Sequence, residues 1–328
     1  MLNEKYQMLL DQYDICVNRL KRGRGGILCF TNCEVYALAQ TSLSEERLHS
    51  VSEWTKMLRT AGFPCTDQYI LNKNGYFLSY DKYYESFAMR KTFSGSDCDI
   101  HSLRDLKAAA SILGRLHKSS ADLSFSSDNL RKYTSIYKHY QQKYSETKSI
   151  GRFIRGKKNK GTFEYQFMEH FPEFQKQMEM ALEFLYRFVP SKTGWCHGTY
   201  NHHNIIMTDS GPSIIHFEHF FYGYPILDLY YFLRKVLEKN DYRFPYCETI
   251  LRSYAKEFPL SLQDFRCLYG LLLFPEKFWK ISNQYMSHKK HWVSPRYINK
   301  LEEFTLSKEL RTIFLEKYVQ FIMYFSFI

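Results

Sequence analysis

Long apolar runs are missing from this 328-residue chain. Its most apolar stretches, GLLLF (270–274) and the tail YVQFIMYFSFI (318–328), fall well short of the roughly 20 residues a membrane span requires, so no transmembrane segment is expected. Paired cysteine motifs are absent too: the eight cysteines (16, 29, 33, 65, 98, 196, 247 and 267) contain no CxxC, which favours free thiols in a reducing cytosol. The opening MLNEKYQMLLDQYD has no basic segment followed by an apolar one, so no secretory signal is expected. There is no internal repeat and no Pro/Ser-rich linker. Acidic residues are in deficit, 34 against 45 Lys and Arg, for a net charge of +11, a balance that favours anionic partners or a lysine-rich solvated surface. What the chain has in plenty is core-forming material, 45% hydrophobic and 18% aromatic, enough for one large domain or two lobes.

The hydrophobic periodicity changes character near residue 100. Before it, the β-rich runs GGILCF, EVYALAQT, PCTDQYIL, YFLSYDKYYES and FAMRKTF surround one helical segment, SEERLHSVSEWTKMLRTAGF (44–63). Ser44 caps that segment, Leu48, Val51, Trp54 and Leu58 share one face, and Gly62 closes it. After residue 100 the patterns are helical: SLRDLKAAASILGRLHKSS, FEYQFMEHFPEFQKQMEMALEFLYRF and PILDLYYFLRKVLEKN. Two strand-like pieces, IIM and SIIHF, flank the turn TDSGP within 194–221 and interrupt them. The reading is an α+β chain with a β-rich N-terminal lobe over 1–90 and a helical lobe over 91–328, joined near 85–95. RFIRGKKNKG (152–161) reads as a basic loop. KRGRGGI (21–27), with Gly25 and Gly26, reads either as a hairpin turn or as backbone N–H groups able to cradle phosphate.

The stretch CHGTYNHHNIIM (196–207) fits the spacing of a kinase catalytic loop, H-x-D-x-x-x-x-N, with the acid replaced. His197, Gly198, Thr199 and Asn204 occupy the frame. Twelve residues beyond Asn204, where the metal-binding aspartate belongs, stands His216, in IIHFE. Thr199 carries no negative charge and no useful basicity at neutral pH, and His216 is a poor ligand for Mg²⁺, which prefers hard oxygen donors. EVYALAQTS has no lysine for the α- and β-phosphates, the corresponding place falling at Ala39 or Gln40. Phosphoryl transfer rests on positioned charges, and in this frame the base, the metal ligand and the phosphate lysine are all replaced.

These residues resemble the aminoglycoside and choline phosphotransferase branch of the protein-kinase-like superfamily, whose usual loop is HGDxxxxN followed by I-D-F/W-E. The segments FPEKFWKISNQYMSHKKHWVSPRYINKLEEF (274–304), GTFEYQFM (161–168) and HHNIIM resemble, more specifically, CotS-type spore coat proteins, over roughly residues 25–305. The resemblance implies a bilobal kinase-like fold and a pseudokinase with a structural or recruiting role in coat assembly, made in the mother-cell cytoplasm and carried into the coat, with other coat proteins as partners. The alternatives are an atypical small-molecule phosphotransferase and a regulator that binds nucleotide without turnover. Thr199 and His197 are then the degenerate catalytic positions. Gly25, Gly26, Ala39 and Met89 are the nucleotide-facing ones, and Asn204, His216 and Glu218 form a weak metal set at most. No cofactor is expected unless ATP and Mg²⁺ retain their site.

Other features have plainer readings. His202, His203 and His219 with His197 and His216 make a histidine-rich neighbourhood suited to zinc, but adjacent histidines on a loop need not converge. Asp228, after Pro225, reads as a capping or loop-bracing carboxylate. Phe278, Trp279, Tyr285, Trp292 and Tyr297 alternate with lysines in a pattern that could stack nucleic acid. Core packing is the better account of Phe278 and Trp279, Trp292 suits a docking surface, and no nucleic acid partner is expected. The tail IMYFSFI (322–328) suits either an assembling strand or a closing helix.

Overall fold

A computed structural model describes residues 2–127, 130–287 and 295–325. In chain order the first half contains α1 (Leu2–Leu10), β1 (Arg19–Gly23), β2 (Gly26–Phe30), β3 (Val35–Gln40), α2 (Glu45–Thr60), β4 (Gln68–Tyr69), β5 (Leu78–Tyr80), β6 (Ser86–Thr92), β7 (Ser96–Asp97), α3 (Leu103–Ser120), α4 (Ile136–Gly156) and α5 (Thr162–Arg187). The second contains β8 (Gly194–Cys196), β9 (Ile205–Thr208), β10 (Gly211–Ile214), β11 (Phe221–Gly223), α6 (Ile226–Lys239), α7 (Phe244–Glu257), α8 (Leu262–Leu273), α9 (Glu276–Ser287), α10 (Pro295–Leu306) and α11 (Lys308–Phe325). Two compact units result. One comprises Met1–Lys132, Gly194–Phe232 and Thr249–Phe258; the other comprises Tyr133–Thr193, Leu233–Glu248 and Pro259–Ile328.

The first unit holds all the named strands. Its main sheet is antiparallel, in the order β1-β2-β3-β6-β4, with β5 also on β6. Alternation along β3 and β6 gives the sheet two faces. Leu38 and Met89 are cross-strand partners and lie fully buried with Leu9, Tyr13, Ile27 and Cys29. Ala37 and Ala39, pairing with Arg90 and Ala88, point the other way. The two-residue connection between β1 and β2 makes KRGRGGI a hairpin turn, with Gly25 at φ +76°, a conformation glycine adopts without steric cost. Gly26 sits opposite Ala39, and a Cβ there would come within 2.3 Å of the Leu38 carbonyl oxygen.

Helix α2 forms as its sequence dictates. The Ser44 side chain accepts the Arg47 N–H, and Leu48, Val51, Trp54 and Leu58 are buried. Trp54 stacks on Phe220, with ring centres 5.4 Å apart, and meets Trp195 at 4.5 Å. The pieces IIM and SIIHF pair as the β9–β10 hairpin around Asp209 and Ser210.

The second unit is helical. Phe163, Phe167, Phe171 and Phe174 recur at helical spacing along the inner face of α5 and are all buried. Phe163 stacks on Tyr285 at 4.4 Å, Phe167 on Phe278 at 5.0 Å, and Phe174 meets Phe304 at 5.3 Å. Phe278 is thus a core residue, Trp279 donates its indole N–H to Glu146 at 2.8 Å, and Trp292 lies outside the described residues. The basic stretch 152–161 is a loop only from Lys157, since α4 runs on to Gly156. Burial of Ile150 and Ile154 extends the helix into residues that composition alone assigns to a loop. Residues 322–325 continue α11 as helix rather than strand.

Candidate functional site

The degenerate catalytic loop is held from behind by Asp228, in the first turn of α6. Its carboxylate is fully buried and accepts the backbone N–H groups of His197 at 2.6 Å and Gly198 at 2.9 Å, with His117 Nε2 at 3.3 Å. Gly198 can be nothing larger. Its φ is +87° and a Cβ would lie 2.1 Å from the His219 carbonyl oxygen. His197 is buried, and both its ring nitrogens are committed: Nδ1 accepts the Thr199 N–H at 3.2 Å, and Nε2 lies 3.0 Å from the Ile215 carbonyl oxygen. That pairing fixes the neutral tautomer with its proton on Nε2. Burial pushes the His197 pKa below its ordinary value, against the opposing pull of Asp228. His197 is therefore a structural brace with no lone pair to offer. Thr199 Oγ1 lies 3.4 Å from His197 Nδ1, and the Asn204 amide donates to the Thr199 carbonyl at 2.9 Å. The loop satisfies itself.

The charged centre of the unit lies elsewhere, around a residue the motif search passes over. Arg90 on β6 has Ala37 as its cross-strand neighbour on one side and Tyr69 on the other. Its guanidinium therefore emerges on the face that Ala39 shares, one pair along. Arg90 is nearly buried and is surrounded by acceptors. Nε lies 3.3 Å from Asp67 Oδ2, and Nη1 lies 3.1 Å from Glu218 Oε1. The His216 ring nitrogens approach its two terminal nitrogens at 3.0 and 2.8 Å; a neutral imidazole has one acceptor nitrogen, so one of these contacts is the hydrogen bond. The Tyr69 hydroxyl donates to Glu218 at 2.5 Å.

Local backbone geometry brings these groups together. Thr66 forms a parallel bridge to Ile214, which lays Asp67 beside the end of β10. His216 is not on a strand. β10 ends at Ile214, and His216 adopts the left-handed conformation (φ 70°, ψ 59°) as it opens a 3₁₀ turn over Phe217–His219. Asp67 accepts its N–H at 3.1 Å. A left-handed non-glycine residue costs of order 1–3 kcal/mol and is held by its surroundings, here by Asp67 and Arg90. Arg47 on α2 reaches across with Nε and Nη2 to the Glu218 carbonyl at 3.1 and 2.8 Å and to that of Phe220 at 3.2 Å, its guanidinium 4.5 Å from the Phe220 ring centre. The first-turn carboxylate of the same helix, Glu45, accepts the Phe77 and Leu78 N–H groups.

The electrostatics follow. Burial pushes the Asp67 carboxyl up to about 6 despite Arg90. Glu218 is held well below the usual carboxylate range: burial works against it, but His216, Arg90 and Tyr69 together prevail. Burial, reinforced by Glu218, drives the Tyr69 phenol up. The set does not fit Mg²⁺. Of the three positions set out for metal, His216 and Glu218 already surround the chain's own guanidinium, and Asn204 turns its amide N–H group to Thr199. Among the described residues no group of three or more His, Cys, Asp or Glu side chains is disposed to hold a metal ion; the His202 and His203 rings lie with centres 3.6 Å apart, tilted by 39°. Of the nucleotide-facing positions, Gly25 and Gly26 form the hairpin turn and Ala39 lies on the Arg90 face. Met89 is sealed in the core on the opposite face, with its carbonyl taken by the Ile70 N–H at 3.0 Å. Sequence reasoning missed Arg90, Asp67, Tyr69 and Arg47. The one available signal was an arginine inside the apolar run FAMRKTF, where a lone charge at a buried position demands a partner.

The chain is 21% identical over 295 residues to spore coat protein S of Bacillus subtilis strain 168, a match covering 85% of this chain and 82% of the relative. Its fold is that of an aminoglycoside phosphotransferase from Alicyclobacillus acidocaldarius, with a TM-score of 0.82 at 15% identity, covering 96% of this chain and 95% of the other. It is also that of spectinomycin phosphotransferase APH(9)-Ia in complex with ADP and spectinomycin, with a TM-score of 0.66 at 13% identity over 95% and 98% of the two chains. The α+β kinase-like fold is thereby shown. The family described as "Spore coat putative kinase YutH" matches residues 6–318, nearly the whole length, and the chain belongs to that family.

Proposed function

We propose that this protein is a kinase-fold component of the spore coat that has given up phosphotransfer, serving as a structural or recruiting element for other coat proteins after synthesis in the mother-cell cytoplasm. The observation that carries the reading is the Arg90 guanidinium, held by Asp67, His216 and Glu218 at 2.8–3.3 Å. A divalent ion belongs beside the His216 position in active members of the resembling branch, and here a fixed side-chain cation already neutralises the acidic groups. The base position agrees, since Thr199 cannot take a proton from an acceptor hydroxyl and His197 has no free nitrogen.

The test is the melting temperature of the purified chain in millimolar ATP, with and without Mg²⁺ or Mn²⁺. A ligand present at 100 times its Kd stabilises by about 2.7 kcal/mol, a shift of several degrees. The reading expects no metal-dependent shift and no transfer of phosphate from ATP to a small alcohol or a coat extract. A second reading is favoured by one comparison, the solved structure of the same fold that holds ADP and spectinomycin: a nucleotide-binding regulator or an atypical phosphotransferase. A metal-dependent shift would favour that reading, and turnover lost on Asn204→Ala would establish the enzyme.

A further inference from the structure

The main sheet has one open edge beside the hairpin turn. β1 ends the strand order, and among the described residues no other strand pairs with its free side. In an antiparallel ladder every second residue of such a strand turns its N–H and C=O away from its neighbour. The edge is therefore a row of donors and acceptors that a further strand can complete.

The side chains along this edge are cationic. β1 reads RLKRG and the turn after it adds Arg24; Arg19, Lys21, Arg22 and Arg24 are all exposed. Among the described residues none of the four makes an ion pair or a side-chain hydrogen bond, and only Arg19 meets a ring, its guanidinium 4.4 Å from the centre of Phe30. Leu20 packs against the core cluster of Leu9, Tyr13 and Ile27, so alternation puts Arg19 and Lys21 together on the opposite face. Where β1 begins, the edge opens into a groove of about 290 Å³ whose lining includes Gln7, Asp11, Val17, Asn18, Arg19 and Lys73. A single water needs only about 10–15 Å³ of such space, so side chains of an incoming segment fit. Asp11 is the only acid on that wall, and its carboxylate already accepts the Gln7 amide at 2.9 Å. Lys73 donates to the Asp11 carbonyl oxygen at 2.8 Å and lies 3.8 Å from the exposed Asp14.

The charges select the partner. A second copy of the chain would bring the same cations against themselves, the device by which edge strands avoid joining one another. An acidic strand meets no such repulsion, and opposite charges facing each other across a strand pair are favourable. We propose that β1 is a docking edge for an extended acidic segment of another protein, which adds to the sheet as a further strand. Its alternate carboxylates lie against Arg19 and Lys21, and its end runs into the groove beside Lys73. This deepens the recruiting role proposed above and rests on that reading for its purpose, while its geometry stands apart from the kinase-like site.

Fluorescence anisotropy of a labelled short peptide alternating glutamate with valine, titrated with the full chain at physiological ionic strength and without nucleotide, tests the assignment. The peptide should bind saturably with a Kd below about 1 mM, and the same peptide with lysine for glutamate should not. Methylating alternate backbone nitrogens of the acidic peptide keeps its charge and removes N–H groups. One of the two alternate sets should weaken binding at least about tenfold, because those N–H groups pair with β1. Arg19→Glu with Lys21→Glu changes only exposed side chains and should also weaken the acidic peptide at least about tenfold, since attraction becomes repulsion. No binding of the acidic peptide, or unchanged affinity in the double variant, would overturn the proposal. Equal binding of both methylated peptides would overturn it as well, leaving charge attraction without strand addition. The melting experiment in ATP and this titration use different sites, so each reading fails separately.

Discussion

Replacing Arg90 with methionine keeps an unbranched apolar stem and removes the guanidinium, with its charge and its N–H donors. In the native protein that charge sits within 3.3 Å of Asp67 and 3.1 Å of Glu218, both largely buried. Removing one partner of a buried ion cluster costs about 3–5 kcal/mol, chiefly because the remaining charges are left without compensation. In a chain of this size that should lower Tm by roughly 6–10 °C. The pH dependence is the sharper test. Asp67 titrates at about 6 in the folded protein against a reference of 3.8, so the folded state takes up its proton first. The contribution of Asp67 is fully favourable below the reference value and declines as pH rises through 6, a change worth about 3 kcal/mol. Glu218 is displaced the other way, and what it contributes is present above the ordinary glutamate range and lost as pH falls through its folded value. Without Arg90 both carboxyls rise, so the variant should regain stability as pH is lowered from 7.5 to 5.5, while the native chain changes less. Thermal melts of both proteins at the two pH values measure this. A Tm for Arg90→Met within about 2 °C of native at pH 7.5, or a deficit that does not shrink at pH 5.5, would refute the account of Arg90 as the compensating charge.

Further tests address the loop and the helical unit. Gly198→Ala should destabilise by at least about 2 kcal/mol, because the residue is left-handed and its Cβ would overlap the His219 carbonyl, a strain dearer than the usual glycine effect; chemical denaturation would detect it. Asp228→Ala should cost about 3 kcal/mol or more by stranding the His197 and Gly198 N–H groups, and hydrogen exchange at those two amides should accelerate well beyond the global change. In the second unit, Lys143→Met alone should lose about 3 kcal/mol by leaving Glu276 to the more distant and more exposed Lys280, 3.8 Å away. Adding Glu276→Leu should recover most of that loss; no recovery would show that the pair is held for something other than mutual neutralisation.

Much of the fold was legible because periodicity and capping agree. Ser44, the face of Leu48, Val51, Trp54 and Leu58, and the closing Gly62 place α2 within a residue of its observed limits. The phenylalanines of α5 and the TDSGP turn speak as clearly. What sequence could not deliver was convergence. Asp67, Arg90 and Glu218 are far apart in the chain, and nothing local in TDQY or FAMRKTF says that strand register will set Tyr69 and Ala37 on either side of Arg90. His216 illustrates the same limit. The motif frame finds its number, while the left-handed turn that removes it from the strand depends on an aspartate 149 positions earlier.

The Arg90 cluster also bears on how the chain could change over evolutionary time. Restoring an aspartate at position 216 in the present background would set a third carboxylate beside two that share one cation, and would also withdraw the imidazole that contacts the guanidinium. An aspartate at 216 is therefore penalised unless Arg90 leaves in the same move, and the departure of Arg90 alone is penalised as well. Such paired penalties act as a ratchet: with an internal cation in place, single substitutions can drift around the loop without arriving at an aspartate in position 216.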